Sequence, residues 1–357
     1  MTLEELLIQI EFGVSLNRED FSRRTFEDAE FTEAKFADCN FTRSRFMRCR
    51  FNESVLASCD FSGAAFLECV FEESEFLIGK GEHAQFHGCS FKSTYFMKTN
   101  LANARFHEIG IDEGAFMCCD LTDASFRGAM LERASFAEST IDRIDLEGAS
   151  LFRGVISGAD LRQANLTGTS FHQILMTDAN LSNKDLSGQR FRECALVNAQ
   201  VENVNFQGCD LTQTSFVNSN VTRSDFRDTE FRFAMLAGSD ISGARFEKAN
   251  MNNAVLANAT VKAANFTGTQ LNMAVFDSAD CQAVMFEKAK LDFADFSNAD
   301  CSAANFAAAQ FSMTKLHATD LSGALLSGVT GSTVPTLEPR LIAQAYRPDQ
   351  VRLEGEM

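Results

Sequence analysis

Proline is nearly missing from this chain. There are three in 357 residues, Pro335, Pro339 and Pro348, and none precedes position 335. That excludes proline-rich linkers over most of the length, and it fits a backbone whose N–H groups are all needed as donors. Tryptophan is absent and tyrosine occurs twice, although there are 35 phenylalanines. No apolar run approaches the length of a membrane span, and no charged-apolar-small segment opens the chain. No C-x-x-C pair exists among the 11 cysteines, so the common zinc and thioredoxin signatures are excluded. Phosphate-binding loops of the GxGxxG and GxxxxGK types are missing too. Cysteines this sparse do not suit a secreted disulfide framework. A reducing cytosol is the expected compartment, with secretion by a signal-independent route as the other option. Basic residues are outnumbered 32 to 49, for a net charge of −17. Such a balance disfavours direct nucleic-acid binding and favours basic partners.

What is present is a period of five. From Leu16 to Leu326 every fifth residue is apolar, without insertion or deletion, and Gly81 is the one exception among 63 positions. Five matches neither the helical period of 3.6 nor the strand period of 2. It requires a chain that turns a corner every five residues and points the same side chain inward each time. Two positions before each centre the residue is small, as in Ala29, Ala34, Cys39 and Ser44, and later Ala294, Ala299 and Ala304. One position before, Asp or Asn recurs, as in Asp120, Asp160, Asn165 and Asn205.

The unit Ala159-Asp160-Leu161 or Ala304-Asn305-Phe306, repeated without a gap, closely resembles the pentapeptide repeat family of bacteria. The resemblance covers residues 16–330 and implies an all-β fold, a right-handed four-sided β-helix with four units per coil. Here that means about sixteen coils and, at the usual strand spacing, a rod of about 75 Å. A solenoid needs caps at its ends. Residues 1–15 supply an N-terminal helical cap, with Thr2 and Glu5 at capping-box spacing and Leu3, Leu6, Leu7 and Ile10 forming an apolar stripe. Residues 331–357 supply a C-terminal cap or tail, in which Leu341, Ile342, Ala345 and Tyr346 share one helical face.

Folding the chain at 20 residues per coil stacks like with like. Phe26, Phe46, Phe66 and Phe86 form one inward ladder, which resumes at Phe206. Gly88, Gly128 and Gly148 fall on one corner line, and Asn198, Asn218 and Asn258 on the opposite one. Both residues tolerate positive φ, so type II turns are expected at these two corners and a different turn at the other two. Lys184 and Gln189 take inward positions where polar groups are costly. They suggest a duplication seam near 181–190. Gly81 suggests a bulge or a flattened side.

Chemistry is hard to find in this pattern. Ten cysteines sit at inward positions and Cys118 outside, which reads as reduced core packing. His83, His87 and His107, with Glu108, are the best metal candidates, but solvated histidines are far commoner than two-ligand sites. No enzyme, cofactor or metal is expected. A regular coil without inserted loops offers little concavity for a small-molecule pocket.

Two outward surfaces stand out. Phe233, Met235, Val255, Met273, Val275, Phe293 and Met313 form an apolar strip along the C-terminal half. Contiguous apolar strips mark interfaces, so a docked protein partner or a homodimer is expected there. A ladder one position before a set of centres becomes densely acidic at Asp240, Asp280, Asp300 and Asp320, a candidate face for a basic partner. The leading expectation is a non-enzymatic protein-binding scaffold, a role that in this family's bacterial settings includes secretion-system accessories and effectors. The alternative, implied by the resemblance, is a DNA mimic that occupies the DNA-binding saddle of gyrase or another topoisomerase. A duplex about 75 Å long would carry roughly 44 charges, well beyond the net charge of this chain. The repeat also lacks the inserted loop common in such inhibitors. No membrane partner is expected.

Overall fold

A computed structural model describes residues 1–334. The expected helical face of the C-terminal tail lies outside these residues. One helix, Leu3–Glu11, opens the chain. Thr2 Oγ1 accepts from the Glu5 N–H at 3.1 Å, and Glu5 Oε2 accepts from the Thr2 N–H at 2.7 Å, which closes the capping box. Leu6 and Ile10 are buried against the first coil, so the helix covers the apolar end that a bare coil would expose.

The rest is a parallel β-helix. Pairing runs from each residue to the one 20 further on, as in Phe26 with Phe46, Phe36 with Leu56 and Phe91 with Ile111. Each coil has four sides, named here by their first phenylalanine: first (Phe21), second (Phe26), third (Phe31) and fourth (Phe36). Centres and small residues point inward, and the other three residues of each unit face out. The inner faces stack directly. Phe46 lies 4.8 Å from Phe66 with planes 4° apart, and Phe246 lies 4.7 Å from Phe266 with planes 2° apart. Ring spacing thus equals the spacing of the strands that carry the rings. Adjacent sides meet edge to face, as at Phe116 and Phe126.

The corners differ from the sequence expectation. Positive φ is not confined to two corner lines. Arg23, Asp28, Glu33 and Asp38, one on each side of a single coil, have φ of 57°, 49°, 59° and 54°. The cost of this conformation in non-glycine residues is offset by a rung hydrogen bond at the same position. The Arg23 N–H reaches Thr42 O at 2.9 Å and the Glu33 N–H reaches Asn52 O at 2.8 Å. In the early coils the corners differ in closure. The first and third sides close a turn by a bond from residue i+3 to i, as from Ser44 to Phe41 and from Ser54 to Phe51. The second and fourth sides run there as three-residue strands, Thr25–Glu27 and Lys35–Ala37 being the first of each length. In the later coils all four sides close by the bond from i+3 to i, as from Cys209 to Phe206, Thr214 to Leu211, Ser219 to Phe216 and Ser224 to Val221, so the glycine and asparagine lines do not mark a separate turn class there.

Gly81 produces no bulge. Its N–H donates to Asn100 O at 2.7 Å, and Lys80 pairs with both Asp60 and Asn100. The hole left by the missing side chain is filled from below. The Phe61 ring swings into it, where a Cβ on Gly81 would lie 2.2 Å from Phe61 Cε2. Phe61 accordingly meets Phe76 and Phe86 edge-on at 5.4 and 6.5 Å.

At Lys184 the coil keeps its 20-residue size, but the second-side ladder misses one step. Asp145 pairs with Asn165 and Asp185 with Asn205, whereas Asn165 and Asp185 are not paired among the described residues. The Lys184 ammonium explains this. It donates to Ala164 O, the carbonyl equivalent to those that accept a rung N–H at the neighbouring steps, such as Ile144 O and Lys184 O. Burial lowers the lysine's pKa. Gln189 Oε1 is buried without a hydrogen-bond partner.

Candidate partner interface

The outer surface is best read side by side. On the first side, aspartates and asparagines before each centre fold back on the chain. Asp240, Asp280, Asp300 and Asp320 each accept from the N–H two residues on, at 3.0, 3.4, 2.9 and 2.8 Å. Asp280 also meets Lys262 Nζ at 2.9 Å, and Asp300 accepts from Gln282 Nε2 at 2.6 Å. The Ser302 N–H, the Ser302 hydroxyl and Gln282 hold the Asp300 carboxyl below its ordinary pKa. The acidic ladder is thus built into the turns, and its carboxylates are already hydrogen-bonded. A shallow open depression beside it is lined by Glu202, Asn220, Asp240 and Lys262.

The second and third sides carry mixed charge that is largely paired. Arg48 bridges Glu27 and Asp28, and Arg133 reaches Asp112, Glu113 and Glu132. Of the three candidate histidines, His87 and His107 stack on the second side, whereas His83 sits at the corner after Gly81 on the first side. His107 Nε2 lies 3.0 Å from Ser125 Oγ, and His87 Nε2 lies 4.0 Å from Glu108 Oε2. Desolvation, with Arg105 and Arg127 nearby, lowers the His107 pKa. No group of three or more His, Cys, Asp or Glu residues that could hold a metal occurs among the described residues. Ten cysteines are buried and Cys118 is exposed, all as free thiols. Cys118 Sγ donates to Glu138 Oε2 at 3.3 Å, and that carboxylate raises the thiol's pKa.

The fourth side is different in kind. Phe233, Met235, Met273, Phe293 and Met313 are all about half exposed, and Val255 and Val275 are partly exposed. Pairing of Met235 with Val255, and of Val255 with Val275, puts their side chains on adjacent rungs. The seven residues selected from the sequence therefore share one side and its corner. The apolar surface extends further than that selection. Tyr95, Met97, Met117, Ile78 and Leu175 are exposed on the same side. The missed signal was the position after each centre, which reads Leu77, Met97, Met117, Ala137, then Val197, Val217, Ala237, Ala257. Before and after the fourth-side centres from Val55 to Ala257, Glu75 is the single charged residue.

A parallel solenoid assembled from five-residue units, four to a coil, defines the class of this protein. A family model described as pentapeptide repeats matches it in eight copies, at 15–52, 116–151, 145–188, 176–208, 205–243, 214–253, 239–277 and 286–323. The chain belongs to the pentapeptide repeat family. Among solved structures it is similar to HetL, a pentapeptide repeat protein involved in heterocyst differentiation regulation from the cyanobacterium Nostoc. Identity there is 20%, over 72% of this chain and 96% of that one, with a TM-score of 0.31. It is also similar to QnrB1, a plasmid-mediated fluoroquinolone resistance protein, at 19% identity over 68% of this chain and 92% of that one, with a TM-score of 0.19. A third is a pentapeptide repeat protein from the thylakoid lumen of Arabidopsis thaliana, at 25% identity over 30% and 71% of the two chains, with a TM-score of 0.19. No curated protein matches the chain. No helix among the described residues is long and apolar enough to cross a membrane.

Proposed function

We propose that this protein is a non-enzymatic scaffold that docks another protein on its fourth side. The observation that carries this reading is the run of exposed Met, Phe and Leu side chains on one side of a rod whose other sides are mainly polar, with isolated exceptions such as Met130 and Met285. Such a run costs solubility unless something covers it, and methionine and phenylalanine are enriched where partners bury each other. Docking on the acidic first side is the weaker reading, because its carboxylates already serve the turns. Mimicry of DNA for gyrase is weaker again. A duplex surface is unbroken negative charge, while here arginines neutralise carboxylates at Asp28, Asp123 and Glu147. The test is affinity capture from cells of the source organism, comparing the wild type with Met273→Glu/Phe293→Glu. Both changes are on exposed corners, so folding should survive. Specific loss of captured protein from the variant supports the reading. An identical set of captured proteins overturns it, and inhibition of supercoiling by purified wild type that the variant retains would favour the gyrase reading instead.

A further inference from the structure

The fourth side has a partner of matching shape in a second copy of the chain. Its apolar knobs repeat at the strand spacing, about 4.8 Å, over many rungs. A surface that meets them knob for gap must share that spacing. A second copy of this chain does.

We infer that two copies pair face to face and antiparallel through the middle of the fourth side, with a two-fold axis at Leu175. This rests on the reading of that side as an interface and names its occupant. Side-chain size decides the pairing. A two-fold axis across the rods at Leu175 places Met117 of one copy over Ala237 of the other, and Ala115 over Met235. One rung further out, Met97 lies over Ala257 and Tyr95 over Val255. Each large side chain thus faces a smaller one, as interdigitated sheet faces require. Leu175, about half exposed, meets its own counterpart on the axis, which a self-complementary interface permits. A parallel pairing, with the axis along the rods, sets the position before each centre on the position after it; Met235 then still meets Ala237, but Tyr95 meets Met97, two large side chains, and the Glu75 carboxylate is buried against Leu77.

The area suits a weak dimer. About nine rungs at 4.8 Å, across a side about three residues wide, bury on the order of 1,000 Å² in total, at the lower edge for a specific interface. Charge acts against association. Each copy carries −17, so screening by salt should strengthen the dimer, whereas salt would weaken an electrostatically held complex with a basic partner.

Sedimentation of the full chain, with and without added salt, is the first measurement. The expected result is a dimer at tens of micromolar that dissociates on dilution and tightens with salt. Leu175→Glu should weaken it by at least about tenfold, because two like charges meet on the axis. Orientation is read by oxidation in a Cys118→Ser background. Leu175→Cys should cross-link to itself. Met117→Cys should not, but should cross-link when mixed with Ala237→Cys. A wild type that stays monomeric at about 200 µM in high salt overturns the proposal. So does self-cross-linking of Met117→Cys, or a dimer that appears only after residues 335–357 are removed, since that would make the tail the occupant. Phe293 lies outside the paired rungs. Loss of a captured partner in the Phe293 variant of a monomeric protein would therefore leave the docking reading standing while this one falls.

Discussion

Alanine at position 81 makes a sharp test, because two effects of known size oppose each other there. Gly81 does not have positive φ, so replacing it with alanine should by itself stabilise the chain by about 0.4–1 kcal/mol through the unfolded state. It would also bring the repeat closer to its pattern. The interior says otherwise. A Cβ on Gly81 would sit 2.2, 2.7 and 2.9 Å from three atoms of the Phe61 ring. The ring must leave, and a methyl group then fills a space that a phenyl filled. Overpacking or a residual void of this kind costs about 1–3 kcal/mol. We expect a net destabilisation of about 1–2 kcal/mol, concentrated in neighbouring coils because a solenoid's contacts are local. Native-state hydrogen exchange is the assay, read at the N–H groups of Phe61 and Gly81, which donate to Lys80 O and Asn100 O. Phe61→Leu/Gly81→Ala should recover much of the loss, because the smaller side chain leaves room for the methyl. If Gly81→Ala alone slows exchange at these amides, the account of a swung ring is wrong.

Lys184→Ala removes a cation that burial disfavours and frees Ala164 O for the Asp185 N–H, so stability at neutral pH should rise by about 1–2 kcal/mol. The folded pKa of Lys184 is lowered, so its penalty is full below that value and is relieved as pH rises towards the unfolded value. The gain from Lys184→Ala should therefore shrink in alkali, and a loss of stability at neutral pH would refute the assignment. Asp160 is held below its ordinary pKa by the Arg162 side chain, and Asp300 by the Ser302 N–H. Their contribution is complete above the unfolded carboxylate value, about 3.9, and disappears as pH falls through the folded values. The urea midpoint should show no loss from these groups down to about pH 5, then drop below pH 4, and Asp160→Asn should flatten that drop. An Asp160→Asn profile identical to wild type would remove Asp160 from the explanation.

The core is legible in the sequence, because one rule of spacing decides which side chain is inside. Phe21, Phe26, Phe31 and Phe36 follow from it, as does the burial of ten thiols. The apolar strip was half legible. Two columns on the C-terminal half were followed, and the position after each centre was not, so Met97 and Met117 were missed. The corners were misread for a definite reason. Glycine and asparagine mark positive φ when a turn stands alone. In a stacked coil the next rung's carbonyl holds the turn residue, and Arg23 or Glu33 can sit there as well. The swung Phe61 ring was not legible at all, since a lone glycine does not say which neighbour fills its space.

The constant coil length has a consequence for how such a rod can change. Adding or deleting 20 residues slides one half along the axis and leaves every surface aligned. Adding or deleting five turns everything downstream by a quarter, with the interior still satisfied at every centre. Such an indel would leave a folded protein whose apolar face breaks and continues around the corner. Length in this architecture can drift in steps of one unit, but a lateral recognition surface tolerates only steps of four.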